Sequence, residues 1–146
     1  MSSKPVIVEE VFPVSVDKIW EALTDKEKMK SWYFDLDKFE PEVGFTFSFA
    51  GKGHKGEAYT HICKITEVVP NQKLQYSWQY ENYQGYSLLT FELWEEGIRT
   101  RLRLTHEGLE TFPQNSPDFA RDSFMSGWEY IITQSLRGYL ATLPKL

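Results

Sequence analysis

The chain has 146 residues, of which 41% are hydrophobic and 16% are aromatic, and its formal net charge is -5. This length fits one domain with a core that needs no cross-links, and the aromatic content excludes the disordered class. The acidic balance argues against nucleic-acid binding, which calls for a basic face. The single cysteine excludes an intrachain disulfide, and the 10 Phe, 8 Tyr and 5 Trp exceed what a small core needs.

The N-terminal segment predicts a strand followed by two short helices. Residues Val6 to Val11 are short and β-branched, which is typical of a strand. Ser15 is a candidate N-cap, and apolar residues between Val16 and Leu23 then recur at the spacing of one helical face. Thr24 and Glu27 form a capping box, so a second short helix is expected to begin there.

Alternating apolar and polar residues dominate the segment from Leu36 to His106 and predict about six strands. The clearest runs are Phe45–Phe49, Leu74–Tyr80, Leu89–Leu93 and Arg101–Thr105. Strict alternation is typical of an antiparallel sheet with one buried and one solvated face. We therefore expect the apolar positions of all these strands to face one side of one sheet.

The last third of the chain changes to a helical period. Its apolar stripe runs from Phe124 to Leu143 at a spacing of 3.6 residues. Either Ser116, which precedes a proline, or Ser126 is expected to cap its start. Such a wide stripe must be buried against another element. The inner face of the sheet is the large apolar surface available, so an α+β fold with a space between sheet and helix is predicted.

One glycine-rich segment matches a nucleotide-binding motif in letters only. Residues Gly51 to Gly56 read G-x-G-x-x-G, but the dinucleotide fingerprint needs a helix immediately after it. Here Glu57 to Ile62 follows, and that segment is strand-like. A hairpin loop is therefore predicted, with no cofactor.

Two histidines and the thiol are expected on the inner face of the sheet. His61 and Cys63 share the inward side of one strand, and His106 lies on the inward side of the last strand. A Cys–His nucleophile would need direct contact and an orienting third group. A zinc site would need three or four ligands, and the sequence has no short-spaced cluster of them. Ordinary core packing or polar lining of a pocket is the main expectation, with neither catalytic nor metal-binding residues assigned.

The aromatic residues carry the main functional hypothesis. Small-molecule sites are mostly apolar with a few polar groups, and buried Tyr and Trp keep a polar atom paired. The alternative is a solid core without a usable cavity. The predicted pocket residues share an inward position on a strand or helix: Trp32, Phe45, Phe47, Tyr59, His61, Cys63, Tyr76, Trp78, Phe91, Leu102, His106, Phe124, Trp128, Ile131 and Ile132.

Several stretches, in this order, carry a resemblance to a known family: Val14–Asp25, Met29–Trp32, Phe39–Phe47, Ile65–Pro70 with Leu74 and Trp78, Leu89–Leu93, Thr100–Leu109 and Gly127–Trp128. With these, the chain resembles the Hsp90-ATPase-activator-like group of the START-like, birch-pollen-allergen-like superfamily. The resemblance implies a helix-grip fold: a curved seven-stranded antiparallel sheet around a long C-terminal helix, with two short helices after strand 1. It also implies that residues 1–146 form a single START-like domain.

Three functions are open at this point. The first is non-catalytic binding of a small hydrophobic or amphipathic ligand in the cavity between sheet and helix. The second is a cyclase- or hydrolase-type enzyme that uses the same cavity. The third is a protein-interaction module related to Hsp90 co-chaperones. The co-chaperone that gives the group its name has an additional N-terminal domain, so Hsp90 is expected less than a small apolar ligand as the partner.

The location is predicted from what the sequence lacks. No apolar run reaches the roughly 18 residues of a membrane span. Glu9 and Glu10 interrupt the apolar N-terminal stretch, so no signal peptide is expected. We therefore expect a cytoplasmic protein without a membrane span.

Overall fold

A six-stranded antiparallel sheet is the main element of the computed structural model, which describes residues 4–53 and 55–143. The strands lie in the spatial order β1-β6-β5-β4-β3-β2. Their bounds are β1 Val6–Phe12, β2 Thr46–Lys52, β3 Ala58–Val69, β4 Lys73–Tyr80, β5 Ser87–Glu96 and β6 Arg99–Glu107. A register shift between Ile65 and Glu67 of β3 marks a bulge, and bulges bend the strands that carry them.

The described residues form six strands, so the implied count of seven is wrong. The segment between the second helix and β2 contains no strand. Pro41 in this segment has no N–H to donate. The N–H groups of Glu42 and Phe45 bond within the segment, to the carbonyls of Glu40 and Glu42, and the segment meets β3 at Ile65 alone, through Gly44 and Phe45.

Three helices accompany the sheet. Helices α1 (Val16–Thr24) and α2 (Lys26–Trp32) follow β1. The third, which we call the C-terminal helix, covers residues 121–141. It consists of α3 (Arg121–Tyr130), a π-helical segment (Ile131–Leu136) and α4 (Arg137–Ala141).

The predicted caps of two helices are wrong, by one residue for α2 and by several residues for the C-terminal helix. Ser116 caps a 3₁₀ turn at Pro117–Phe119, and the C-terminal helix begins only at Arg121. For α2 the capping residue is Asp25, whose carboxylate accepts from the N–H of Glu27 at 2.9 Å. The Thr24 hydroxyl instead donates to the carbonyl of Trp20, four residues earlier.

The inner face of the sheet is apolar, as the alternation predicts. His61, Cys63 and Ile65 of β3 are all buried, and so are Thr100 to His106 at every second position of β6. The C-terminal helix packs against this face through buried residues that recur at helical spacing. They are Phe124, Trp128, Ile132, Leu136 and Leu140.

Helix α2 joins the N-terminal segment to the C-terminal helix. The Trp32 indole N–H donates to the carbonyl of Ala22 at 2.9 Å, which ties α2 to α1. The carbonyl of Trp32 accepts from the hydroxyl of Ser135 at 2.5 Å. The residues after α2, Tyr33 and Phe34, are thereby carried into the aromatic core.

Among the described residues, no helix is long and apolar enough to cross a membrane.

We expect Asp25→Ala to lower the free energy of unfolding by about 1 kcal/mol, because it removes the side-chain cap of α2. Urea denaturation followed by circular dichroism measures this loss. Asp35→Ala is the matched control, since Asp35 is an exposed aspartate outside any helix. Equal losses in the two variants would contradict the capping role.

Candidate functional site

An open cleft of about 460 Å³ lies between one end of the sheet and the first half of the C-terminal helix. Its rim is exposed at Lys52, Ser126 and Gly127, and its floor is buried at Tyr59, His61 and Tyr80. The lining residues come from β2, β3, β4, the 3₁₀ turn and α3: Lys52, Gly53, Tyr59, His61, Tyr80, Asp118, Phe119, Ser123, Ser126 and Gly127.

The glycine-rich segment shapes one wall of this cleft. It connects β2 to β3, so the predicted hairpin is confirmed, and residue 54 of the motif lies outside the described residues. A Cβ at Gly51 would lie 2.5 Å from Cε1 of His61. A Cβ at Gly53 would overlap the carboxylate of Asp118. These glycines therefore make room for two polar side chains of the cleft.

His61 is the polar group at the floor of the cleft. Its side chain is only 9% exposed, and its ring stacks on that of Phe49 with centroids 4.4 Å apart. Nδ1 lies 3.2 Å from the carbonyl oxygen of Phe49. A carbonyl only accepts, so Nδ1 carries the proton and Nε2 holds a lone pair. Burial lowers the pKa of His61 to about 4, so the ring is neutral at physiological pH.

Tyr59 and Asp118 form the second polar feature. The Tyr59 hydroxyl donates to the Asp118 carboxylate at 2.6 Å and links β3 to the 3₁₀ turn that precedes the C-terminal helix. Burial raises the pKa of Tyr59, and the carboxylate raises it further, so the hydroxyl keeps its proton. The hydroxyl of Ser116 accepts from the N–H of Asp118 at 3.3 Å and helps to fix the turn.

Tyr80 lies beside His61, because the two residues are paired across β3 and β4. Their ring centroids are 4.8 Å apart. The Tyr80 hydroxyl accepts from the indole N–H of Trp78 at 2.9 Å. Within the described chain its own proton has no acceptor.

Behind the cleft, a chain of hydrogen bonds crosses from helix to sheet. The indole N–H of Trp128 donates to Nδ1 of His106 at 3.0 Å. Because Nδ1 accepts, the neutral ring carries its proton on Nε2, which lies 2.8 Å from the Ser87 hydroxyl. That hydroxyl donates in turn to the carbonyl of Trp78 at 2.7 Å. His106 is fully buried, and burial lowers its pKa to about 3.

Aromatic rings occupy the space between the sheet and the helix around this chain. The ring centroids of Trp78 and Trp128 are 5.2 Å apart, and those of Tyr33 and Trp128 are 6.2 Å apart. The Tyr33 and Tyr76 hydroxyls lie 2.6 Å from each other. Aromatic rings of the sheet and of the helices therefore fill the space where the sequence predicts a cavity. The cleft lies at the edge of these packed rings.

The structure divides the predicted pocket residues into three groups. Two of them, Tyr59 and His61, line the cleft. Phe45 and Ile131 are partly buried at the margins of the core. The others are buried in the core and line no part of the cleft: Trp32, Phe47, Cys63, Tyr76, Trp78, Phe91, Leu102, His106, Phe124, Trp128 and Ile132.

Several cleft residues are missing from the sequence-based set. Asp118 is separated from its partner Tyr59 by 59 positions, so no local pattern indicates their contact. Tyr80 belongs to the same alternation as Tyr76 and Trp78, and that parity could have indicated it. Gly51 and Gly53, at alternate positions, could also have indicated the cleft, because glycines in a strand leave room for side chains of the neighbouring strand.

The Cys–His nucleophile that the sequence leaves open has no supporting geometry. Cys63 is fully buried, and burial raises the pKa of its thiol. Among the described residues, no hydrogen bond joins Cys63 to His61 or His106, and no cluster of metal-ligating side chains is found. The thiol therefore behaves as a small core residue.

We expect Cys63 to resist iodoacetamide at neutral pH in the folded protein and to react once the chain is unfolded in guanidinium chloride. A buried thiol is both shielded and protonated, whereas alkylation needs an accessible thiolate. Mass spectrometry measures the modified fraction. Rapid alkylation of the folded protein would contradict the buried placement.

We expect acid to destabilise the fold through the buried histidines. Because their pKa values fall on folding, only the unfolded chain takes up protons as the pH drops below about 6.5, so stability falls with pH. For His106 the slope approaches roughly 1.4 kcal/mol per pH unit. Urea denaturation between about pH 6.5 and pH 5 should therefore show a shallower slope for His106→Gln than for the unmodified chain. Equal slopes would contradict a neutral, buried His106.

Comparisons with known proteins agree with this architecture. The family described as Activator of Hsp90 ATPase homolog 1-like protein matches residues 13–141. No curated protein matches the chain. The crystal structure of protein MLL2253 from Mesorhizobium loti is 25% identical, with a TM-score of 0.77, over 97% of this chain and 100% of that chain.

Two further solved structures share the fold. CalU16 from Micromonospora echinospora is 24% identical, with a TM-score of 0.73, over 94% of this chain and 76% of that chain. PFC0360w, described as an HSP90 activator from Plasmodium falciparum, is 19% identical, with a TM-score of 0.75, over 94% of this chain and 96% of that chain. The chain therefore belongs to the Activator of Hsp90 ATPase homolog 1-like family and shares its START-like, helix-grip architecture.

Proposed function

We propose that this protein binds a small amphipathic molecule in the cleft between the sheet and the C-terminal helix, without chemistry of its own. The observation that carries the proposal is the Nε2 atom of His61. It has no partner among the described residues, and it belongs to a neutral ring that lines an open cleft. A polar atom left without a partner on the floor of an open cleft is one that a ligand can satisfy.

The size and composition of the cleft support this function. Its volume of about 460 Å³ lies within the range of sites that hold small molecules. The rings of Tyr59 and Phe119 have centroids 5.4 Å apart and offer apolar surface to a ligand. Lys52 and Ser126 provide a polar, exposed rim. Such a site favours a ligand with an apolar body and few polar groups.

Binding without catalysis accounts best for the side chains present. A general base is a titratable group that lies within hydrogen-bond distance of the proton it removes from the substrate. The carboxylate of Asp118 accepts from Tyr59, whose raised pKa keeps that proton in place. His61 has a pKa of about 4 and is therefore a weak base. Cys63 is buried, so the cyclase or hydrolase alternative has no favoured residue.

Interaction with Hsp90 stays a prediction for this chain. The family's description and the Plasmodium falciparum relative connect the fold with Hsp90 activation. A pull-down with purified Hsp90 tests it, with Trp94→Ala as the variant. Trp94 is 39% exposed on the outer face of the sheet, and the Arg103 guanidinium lies 5.0 Å from its ring centroid.

We expect Ser126→Trp to abolish ligand binding, because a large side chain at the exposed rim would fill the cleft. Titration with 2-naphthol and with 1-decanol, followed by amide chemical shifts, should move the signals of Tyr59, His61 and Tyr80 in the unmodified protein. In Ser126→Trp these shifts should be lost. Glu129→Trp is the matched control, since Glu129 is exposed on the same helix but outside the cleft, and it should bind normally.

Absence of any shift at the cleft in the unmodified protein would contradict the proposed function. Equal binding by Ser126→Trp and the unmodified protein would place the ligand elsewhere and would also contradict it.

A further inference from the structure

We infer that the cleft recognises an uncharged ligand through a hydroxyl group, which donates to Nε2 of His61 and accepts from the hydroxyl of Tyr80. This inference rests on the proposed function and names the chemical class of its ligand. It depends on three properties of the cleft floor: the tautomer of His61, the exposure of Nε2 and the unused proton of Tyr80.

The tautomer of His61 makes Nε2 an acceptor. The carbonyl of Phe49 can only accept, so its 3.2 Å contact with Nδ1 places the ring proton there. The remaining nitrogen then offers a lone pair to the cleft. A ligand group that meets this atom must therefore donate a hydrogen.

The accessibility of Nε2 follows from the pairing of the other polar atoms. Among the described residues, every buried side-chain nitrogen or oxygen has a hydrogen-bond partner. The Nε2 atom of His61 has none, so it must reach solvent although the side chain is only 9% exposed. Since His61 lines the cleft, the solvent that Nε2 reaches is that of the cleft.

The second contact comes from Tyr80, whose ring centroid lies 4.8 Å from that of His61. Its hydroxyl accepts from Trp78 and keeps a proton that nothing in the described chain accepts. His61 and Tyr80 are paired across β3 and β4 and both line the cleft, so one acceptor and one donor belong to neighbouring residues of its floor. A hydroxyl group both donates and accepts, so one such group can satisfy both.

A charge on the ligand group that contacts His61 and Tyr80 is disfavoured. The aromatic rings of Phe49, Trp78 and Tyr80 surround His61 and leave little water to solvate an ion. Burial lowers the pKa of His61, so no imidazolium is present at neutral pH to pair with an anion. An alcohol or a phenol therefore fits the floor better than a carboxylate or an ammonium.

The test compares three probes of nearly equal shape: 2-naphthol, 2-methoxynaphthalene and naphthalene. The first can donate and accept, the second can only accept, and the third can do neither. Amide chemical-shift titrations of the whole chain give the dissociation constants. We expect 2-naphthol to bind about three- to tenfold more tightly than the other two, which is the usual effect of one or two neutral hydrogen bonds.

Two variants assign the preference to His61. His61→Phe keeps a flat ring against Phe49 but removes the acceptor, so the preference for 2-naphthol over 2-methoxynaphthalene should disappear while naphthalene binding persists. Gly51→Ala keeps the imidazole but displaces it, because the added Cβ would lie 2.5 Å from Cε1, and it should weaken the preference as well. Gly138→Ala is the control, since a Cβ there meets nothing within 4 Å and Gly138 lies outside the cleft.

The outcomes separate this inference from the proposed function. If all three probes shift cleft signals with equal affinity, the cleft binds apolar molecules and the inference is wrong. If the preference survives in a folded His61→Phe variant, the assignment to His61 is wrong. If no probe shifts the cleft signals, the proposed function fails, and the inference fails with it.

Discussion

The hydrogen bond between Trp128 and His106 is the interaction on which the arrangement of helix and sheet depends. It joins the C-terminal helix to strand β6 at 3.0 Å, and both side chains are buried. A buried donor without a partner costs about 1–3 kcal/mol, so the helix cannot shift along the sheet without a penalty. Ser87 and the carbonyl of Trp78 complete the chain of bonds and fix the tautomer of His106.

The cleft lies at one end of the sheet, beside this packed region. Inside, the aromatic rings meet one another, and each buried side-chain polar atom of the described chain has a partner. His61 lies on the same inner face as His106, but on β3, which is three strands away from β6 and next to the edge strand β2. There Gly51 and Gly53 carry no side chains, which leaves room for His61 and Asp118. Both ring nitrogens of His106 are therefore hydrogen-bonded within the core, whereas Nε2 of His61 faces the cleft because of its position in the sheet.

Much of the fold could be predicted because it depends on local periodicity. The burial of His61, Cys63 and Ile65 follows from their parity in β3, and the buried stripe of the C-terminal helix follows from its helical spacing. The strand count and the site could not be predicted in this way. The Tyr59–Asp118 bond joins residues 59 positions apart. Whether aromatic side chains enclose a void or touch one another depends on their rotamers, which no periodicity encodes.

His61 and His106 are both neutral and carry their protons on opposite nitrogens. Long-range ¹H–¹⁵N correlation spectra of the imidazoles at neutral pH measure this directly. We expect a proton on Nε2 for His106, whose Nδ1 accepts from Trp128, and on Nδ1 for His61, which donates to Phe49 and leaves Nε2 for a ligand. The same tautomer at both sites, or a protonated ring at either, would contradict it.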